Sequence, residues 1–383
     1  MNKQSQLKNS QLSASFNIAG RNISRESSPY IIVELSGNHK GSLEQALSLI
    51  DHAAATGADA IKIQTYTADT ITLKHDGPEF RLEGGLWAGR TLHDLYQEAH
   101  TPWEWHEALF ARAKQHGIPL FSSPFDPSAI DLLESLDCPA YKIASFEIND
   151  IGLIKAATQT GKPIIMSTGL ATLDEITEAV QAVIDAGGTQ LALLHCISGY
   201  PTPIEDCNLR TLLDMQHRFS VPIGLSDHTI DNTAAVTAVA LGAAIIEKHF
   251  TLDRSDGSVD AAFSLEPSEF ASMVKTAKDA HLALGASGYE IKPSEAGGRD
   301  FRRSLYVTKN MQKGDVFTLE HVRSVRPAMG LHTRFLDAVL GKSCTQDIAF
   351  GEPLKVDHVQ GLAAGDHATA TVTHATTDAQ EPL

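Results

Sequence analysis

Polar side chains interrupt the apolar runs of this sequence at places where packing alone has no use for them. The first run ends at Glu34, with Ser36, Asn38 and His39 just beyond it. Lys62, Gln64 and Thr65 fall in the second run, Ser122 and Ser123 in the third, and Lys142, Ser145 and Glu147 at the fourth. Later runs end in Ser167 and Thr168, in Ser198 and Tyr200, in Ser226, Asp227 and His228, and in Glu247, Lys248 and His249. An unpaired polar group costs roughly 2–7 kcal/mol when buried, so runs that repeatedly carry such groups point to a shared site.

Two chemistries fit these residue types. Lys62 and Lys142 supply positive charge, and the hydroxyls of Ser123, Ser145, Ser167 and Ser226 supply donors, for the oxygens of a phosphate. His228 and His249 bring two imidazoles with positions left open for water or substrate, which suits Mn2+ or Mg2+. Asp260 is placed to anchor a metal-bound water. The same histidine spacing equally fits a pair that only hydrogen-bonds to other groups. Lys62, Lys142 and Lys248 also match the strand-end lysines of Schiff-base pyruvate aldolases, although an imine mechanism has no need of the histidines.

To act together, these residues must be carried to one end of one scaffold. Short β-branched runs at Ile31–Leu35, Ala60–Gln64, Ile118–Ser122, Ala140–Ala144, Pro163–Ser167, Leu191–Cys196, Pro222–Ser226 and Ala244–His249 read as eight buried strands. Amphipathic segments separate them. Ser42–Thr56 carries Leu43, Ala46, Leu47 and Ile50 at helical spacing and stops at Gly57. Thr101–Pro102 before Trp103 reads as an N-cap followed by proline at the first helical position. Leu173–Ala186 is a third helix, ended by Gly187 and Gly188. Eight strand–helix units over about 250 residues predict an α/β chain folded as a (β/α)8 TIM barrel, with its chemistry where the strands exit. An open doubly wound sheet is the alternative, but no GxGxxG follows the first strand.

Outside the barrel, residues 1–27 are polar and are expected to add little beyond a short lead-in strand near Phe16–Ala19. The barrel itself spans 28–284, and the glycines and proline of 285–300 read as a linker. Residues 301–361 form a small domain of short strands, Ser304–Val307 and Val316–Thr318 among them. Residues 362–383 read as a disordered tail.

Lys and Arg number 31 against 47 Asp and Glu, a formal net charge of −16. Such a surface repels nucleic acid and anionic membrane, so neither is an expected partner. The cations that would hold an anionic substrate have to be concentrated locally. Cys138, Cys196, Cys207 and Cys344 form no CxxC pair and read as reduced thiols. No apolar run approaches the ~20 residues of a membrane helix, and the polar N-terminus has no signal-peptide core. The expected location is the cytoplasm.

The strings YIIVELSGNHKGS, ADAIKIQTYT, LFSSPFD, AYKIASFEIND, IIMSTGLAT, CISGYPTP, GLSDHT and ALGAAIIEKHFTLDR resemble the sialic acid synthase family. RRSLYVTKNMQKGDVFTLEHVRSVRPAMGL resembles that family's C-terminal antifreeze-like (SAF) domain. The likeness runs from about residue 16 to 360. It implies a barrel followed by a small β-clip domain, assembled as a domain-swapped homodimer. It implies a reaction in which C3 of phosphoenolpyruvate joins the aldehyde of an N-acetylated amino sugar, water adds at C2, and phosphate leaves by C–O cleavage. The implied catalytic set is Glu34, Glu147, His228 and His249, the two histidines holding Mn2+, Mg2+ or Co2+. The implied phosphoenolpyruvate contacts are Lys62, Gln64, Ser123, Lys142, Ser145, Ser167, Ser198 and Ser226. Asn38, Tyr200, Asp260 and, from the partner subunit, Arg326 are implied at the sugar. A purely binding role for the small domain is the non-enzymatic reading, and the intact barrel motifs stand against it.

This chain departs from the family at two places. Ser198 stands where an asparagine is usual, and Arg326-Pro327-Ala328-Met329-Gly330 replaces RPGNG. The segment GGLWAGRTLHDLYQEAHTPWEWH and the string ELSGNH look like the branch of the family that makes pseudaminic acid. That resemblance implies a 2,4-diacetamido-2,4,6-trideoxy-altrose substrate, with N-acetylneuraminate or legionaminate synthesis as alternatives. Leu86 and Trp87 suit a 6-deoxy methyl better than a hydroxyl, a difference of about 1–3 kcal/mol.

Overall fold

The computed structural model describes residues 11–363, so residues 1–10 of the expected lead-in and the tail from 364 onward lie outside the described residues. The chain divides into two compact units, 1–285 and 286–383. Each is described by itself.

The first unit begins with a hairpin, β1 (Phe16–Ile18) and β2 (Arg21–Ile23), paired antiparallel. Eight strands follow: β3 (Tyr30–Glu34), β4 (Ala60–Thr65), β5 (Leu120–Pro124), β6 (Tyr141–Ile143), β7 (Ile164–Ser167), β8 (Leu191–Cys196), β9 (Ile223–Asp227) and β10 (Ile245–His249). They pair in parallel in sequence order, and β10 closes on β3 to complete a barrel. Each expected run overlaps one of these strands, with ends displaced by at most two residues. Nearly every strand residue is buried. Helices cover the outer face and side chains fill the inner one, which is why the runs are continuously apolar rather than alternating.

The connecting helices show their start signals in side-chain bonds. The Leu43–Ala55 helix begins at Ser42, whose side chain accepts from the Gln45 N–H, and buries Ala46, Leu49, Ile50 and Ala53. Gly57 then takes φ +82°, which a side chain would resist. The Leu173–Asp185 helix has a reciprocal capping box between Thr172 and Glu175. The reading at Thr101 is corrected. Pro102 caps a short 3-10 turn, Trp103–Trp105, and the α-helix starts only at His106 with no side-chain cap.

The hairpin is a second correction. Rather than a single lead-in strand, it buries Phe16, Ile18 and Ile23 in the same core as the barrel strands. Ser13 N–H donates to the Thr189 carbonyl just before β8, and Arg21 pairs with Asp59 just before β4, at 2.7 Å. Both anchors lie at the N-terminal ends of strands. The hairpin therefore plugs the end of the barrel opposite the polar strand ends.

In the second unit, β11 (Ser304–Val307) pairs antiparallel with β12 (Val322–Val325). Leu305, Val307, Met311, Phe317, Val322 and Leu354 belong to a separate small core. Val316, expected within a strand, makes only an isolated bridge to Ser343. The linker stretch carries a 3-10 run, Pro293–Phe301. No helix among the described residues is long and apolar enough to cross a membrane.

Candidate active site

The C-terminal ends of the barrel strands open into a cavity of about 700 Å³. Strand pairing fixes which groups meet at its floor. Glu34 of β3 lies beside Lys62 of β4, and Glu247 of β10 beside Ser226 of β9. Lys62 Nζ sits 3.0 Å from Glu34 and 3.0 Å from Glu247, and Lys142 Nζ lies 3.1 Å from the same Glu247. Ser226 Oγ donates to Glu247 at 3.3 Å, and Gln64 donates to Glu34 at 2.8 Å. All six side chains line the cavity.

Burial alone would raise the Glu247 carboxyl, but Lys142 and Lys62 hold it at about 2. Burial opposes charge on Lys62 as well, yet Glu247 and Glu34 lift it above the ordinary lysine value. On Lys142 burial prevails over Glu247, with Lys62 adding to it, and the ammonium is lowered. Burial also raises Glu34 against the pull of Lys62. Two buried lysines bridged by one carboxylate form a floor whose ammonium groups an entering phosphate or carboxylate would engage.

The seryl wall stands beside this floor. Ser145, Ser167, Ser198 and Ser226 line the cavity, and the buried Ser167 Oγ has no hydrogen-bond partner among the described residues. Gly169, which the sequence reading passed over, donates its N–H to Ser145 Oγ at 3.1 Å. A Cβ there would fall 2.3 Å from Ser198 Oγ and 2.7 Å from Ser145 Oγ, so only glycine lets the backbone close this wall.

His228 and His249 meet at the other side, their rings 5.3 Å apart. The Ile197 carbonyl lies 2.9 Å from His228 Nδ1. A carbonyl only accepts, so Nδ1 carries a proton and Nε2 is the nitrogen left for a metal; burial opposes charge on this ring, but Cys196 beside it raises the imidazole above its ordinary value. His249 is held neutral by burial, reinforced by His228 and Lys62, and its buried Nδ1 has no partner among the described residues. Two facing imidazoles, one with its Nε2 free of the backbone bond and the other with an unsatisfied ring nitrogen, fit a divalent metal, with its remaining positions left to water and substrate. Among the described residues no group of three His, Cys, Asp or Glu side chains gathers around an ion site. Asp260 also lines the cavity, accepting from Ser36 Oγ and, at 3.3 Å, from the Gly37 N–H.

Aromatic rings shape the wall above the histidines. Tyr200 lies 4.5 Å from the His228 ring and 5.1 Å from Phe263, which is itself 4.8 Å from His249. Glu147 enters from the loop after β6. Burial, against the pull of Lys142, pushes its carboxyl up to about 7.

The NeuB family matches residues 49–289, more than half of the chain, and the SAF domain matches residues 302–360. The chain belongs to the NeuB family. The pseudaminic acid synthase of Campylobacter jejuni is 46% identical over 334 residues, covering 87% of this chain and 97% of that protein. The pseudaminic acid synthase of Helicobacter pylori is 42% identical over 333 residues, covering 87% and 98%. Among solved structures, the N-acetylneuraminic acid synthetase of Leptospira borgpetersenii in complex with citrate superposes with a TM-score of 0.67 at 31% identity, covering 76% of this chain and 96% of that one.

Within this NeuB barrel, two residues assigned from the sequence are not on the cavity wall. Ser123 stands behind Lys62, 3.5 Å from its Nζ. Asn38 is fully buried, donating to the Phe250 carbonyl and Ser264 Oγ and accepting from the Asp260 N–H. Its polar atoms hold two loops together, and it does not line the cavity. Arg326 belongs to the second unit. Lys248, one of three lysines considered for imine chemistry, points out of the cavity and pairs with Asp227 at 2.7 Å. The hub the sequence reading left without a role is Glu247. Its neighbour His249 was the clue, since residues two apart on a strand share a face.

Proposed function

We propose that this chain is a metal-dependent pseudaminic acid synthase. It condenses phosphoenolpyruvate with 2,4-diacetamido-2,4,6-trideoxy-β-L-altropyranose and water to give pseudaminic acid and phosphate. The observation that carries this reading is the Lys62–Glu247–Lys142 floor in one cavity with the His228–His249 pair. The high identity to two pseudaminic acid synthases, across nearly their whole length, supports the branch.

Lys62, Lys142 and the hydroxyls of Ser145, Ser167 and Ser226 hold the phosphate and carboxylate of phosphoenolpyruvate, and Gln64 and Ser198 border them. That fixes C3 against the sugar aldehyde. Mn2+, Mg2+ or Co2+ on His228 and His249 would polarise the aldehyde oxygen. As the C3–C1 bond forms, positive charge grows at C2, and Glu34 and Glu247 stand nearby to stabilise it. Water then adds at C2 and gives a proton to Glu147, whose value of about 7 suits that transfer. The C2–O bond breaks, and phosphate leaves with the bridging oxygen.

The proposal extends to the whole protein: a cytoplasmic homodimer in which each small domain lends Arg326 to the partner's sugar site. The test of the reaction is turnover of phosphoenolpyruvate labelled with 18O at the bridging position, with Mn2+ and after chelation. Label is expected in the released phosphate, and turnover is expected to stop on chelation. Label retained in the sugar product, or full turnover by demonstrably metal-free protein, contradicts the mechanism.

A further inference from the structure

The loop between the Ala68–Ile71 and Leu92–Ala99 helices is closed at its base. Leu82 N–H donates to the Arg90 carbonyl, Gly89 N–H donates to the Leu82 carbonyl, and Arg81 bridges Thr91. Leu82, Leu86 and Trp87 of this loop line the cavity. Trp87 ties the loop to the barrel. Its indole N–H donates to the Val259 carbonyl at 3.1 Å, and its ring lies 6.0 Å from Tyr200 and 6.5 Å from Phe263. Those two rings in turn pack on His228 and His249. Trp87 thus forms the outer layer of an aromatic wall that rises from the histidine pair.

The single polar atom of Trp87 is already used on Val259, so the face it offers is apolar. A hydroxyl set against such a face leaves water without finding a partner. A methyl set there gains from leaving water. The 6-deoxy sugar differs from its ordinary hexose counterpart in this one group.

We infer that Trp87 is a specificity-determining residue that selects the 6-deoxy sugar by seating its C6 methyl on the indole face. The inference rests on the functional reading above and names the chain's own group for one part of that substrate. In the functional reading above, phosphoenolpyruvate lies on the lysine floor rather than on this wall.

The experiment measures kcat/KM for two sugars, 2,4-diacetamido-2,4,6-trideoxyaltrose and its 6-hydroxy counterpart, in wild type, Trp87→Ala and Trp87→Gln. Folding of each variant is checked by circular dichroism. The wild type is expected to prefer the 6-deoxy sugar by about 10–200-fold, the range one such group supplies in an apolar pocket. Both variants are expected to bring that ratio near unity with the KM for phosphoenolpyruvate unchanged. If Trp87→Ala does not fold, Trp87→Gln, of similar reach but with a polar face, carries the test. A preserved ratio in a folded variant, an equal loss on both sugars, or a wild type without preference overturns the inference and leaves the synthase reading standing. A wild type that releases no phosphate with the 6-deoxy sugar overturns the synthase reading, and this inference with it.

Discussion

Glu147 is where burial and catalysis meet most directly. Its carboxyl is raised to about 7 because burial disfavours the charged form more than Lys142 restores it. A base acts only when ionised, so the active form exists above that value and is lost as pH falls through it. In the wild type kcat/KM is therefore expected to decline below about pH 7. Glu147→Gln is expected to lose about 10²–10⁴-fold in kcat and to lose that acid limb, with the KM for phosphoenolpyruvate nearly unchanged. A variant that keeps wild-type kcat, or the same pH limb, removes Glu147 from this role. Most of the cavity's charged and hydroxyl groups were legible in the sequence, because Glu, Lys and His inside apolar runs are too costly to be there for packing. Facing was not legible. Strands buried on both sides give no alternation, so Lys248, tied outward to Asp227, stood beside Lys62 and Lys142 as a candidate for imine chemistry. Glu247 stayed without a role for the same reason. A loop asparagine near a strand end, such as Asn38, reads alike whether it meets a ligand or, as here, the Phe250 backbone.

At the scale of elements, the barrel strands were legible and the hairpin was not. Long β-branched runs separated by amphipathic stretches announce themselves. β1 and β2 are three residues each, set in a polar segment, and their packing against the barrel core is tertiary. The same limit explains Thr101 and Pro102, where a 3-10 turn precedes the helix and leaves the capping signal unused. The hairpin's burial makes a prediction of its own. Ile18 is fully buried in the barrel core at the end away from the cavity. Ile18→Ala is expected to cost about 2–5 kcal/mol, read by urea denaturation, while the KM values of the folded enzyme stay near wild type. A loss below about 0.5 kcal/mol, the range of ordinary surface changes, shows that the hairpin does not close the core.

On the scale of the whole molecule, the proposed dimer makes Arg326 act across subunits. A charge-assisted bond from its guanidinium to an acetamido carbonyl is worth about 1.5–3 kcal/mol, so Arg326→Ala is expected to lower kcat/KM roughly 10- to 150-fold. Mixing Arg326→Ala with His228→Ala chains, with subunit exchange verified by mass spectrometry, is expected to restore activity. In the mixed dimer one site then carries both lesions and the other carries neither. No recovery after exchange contradicts action in trans. The division into a barrel and a small SAF domain was legible from the glycine-rich stretch after residue 284, whereas subunit exchange of a domain leaves no mark in one chain's sequence. The central claim is the sugar. Phosphate release from phosphoenolpyruvate, measured as kcat/KM with N-acetylmannosamine, with 2,4-diacetamido-2,4,6-trideoxymannose and with its altro epimer, tests it most directly. The altro sugar is expected to give the highest value, and a higher value for either of the other two contradicts the account.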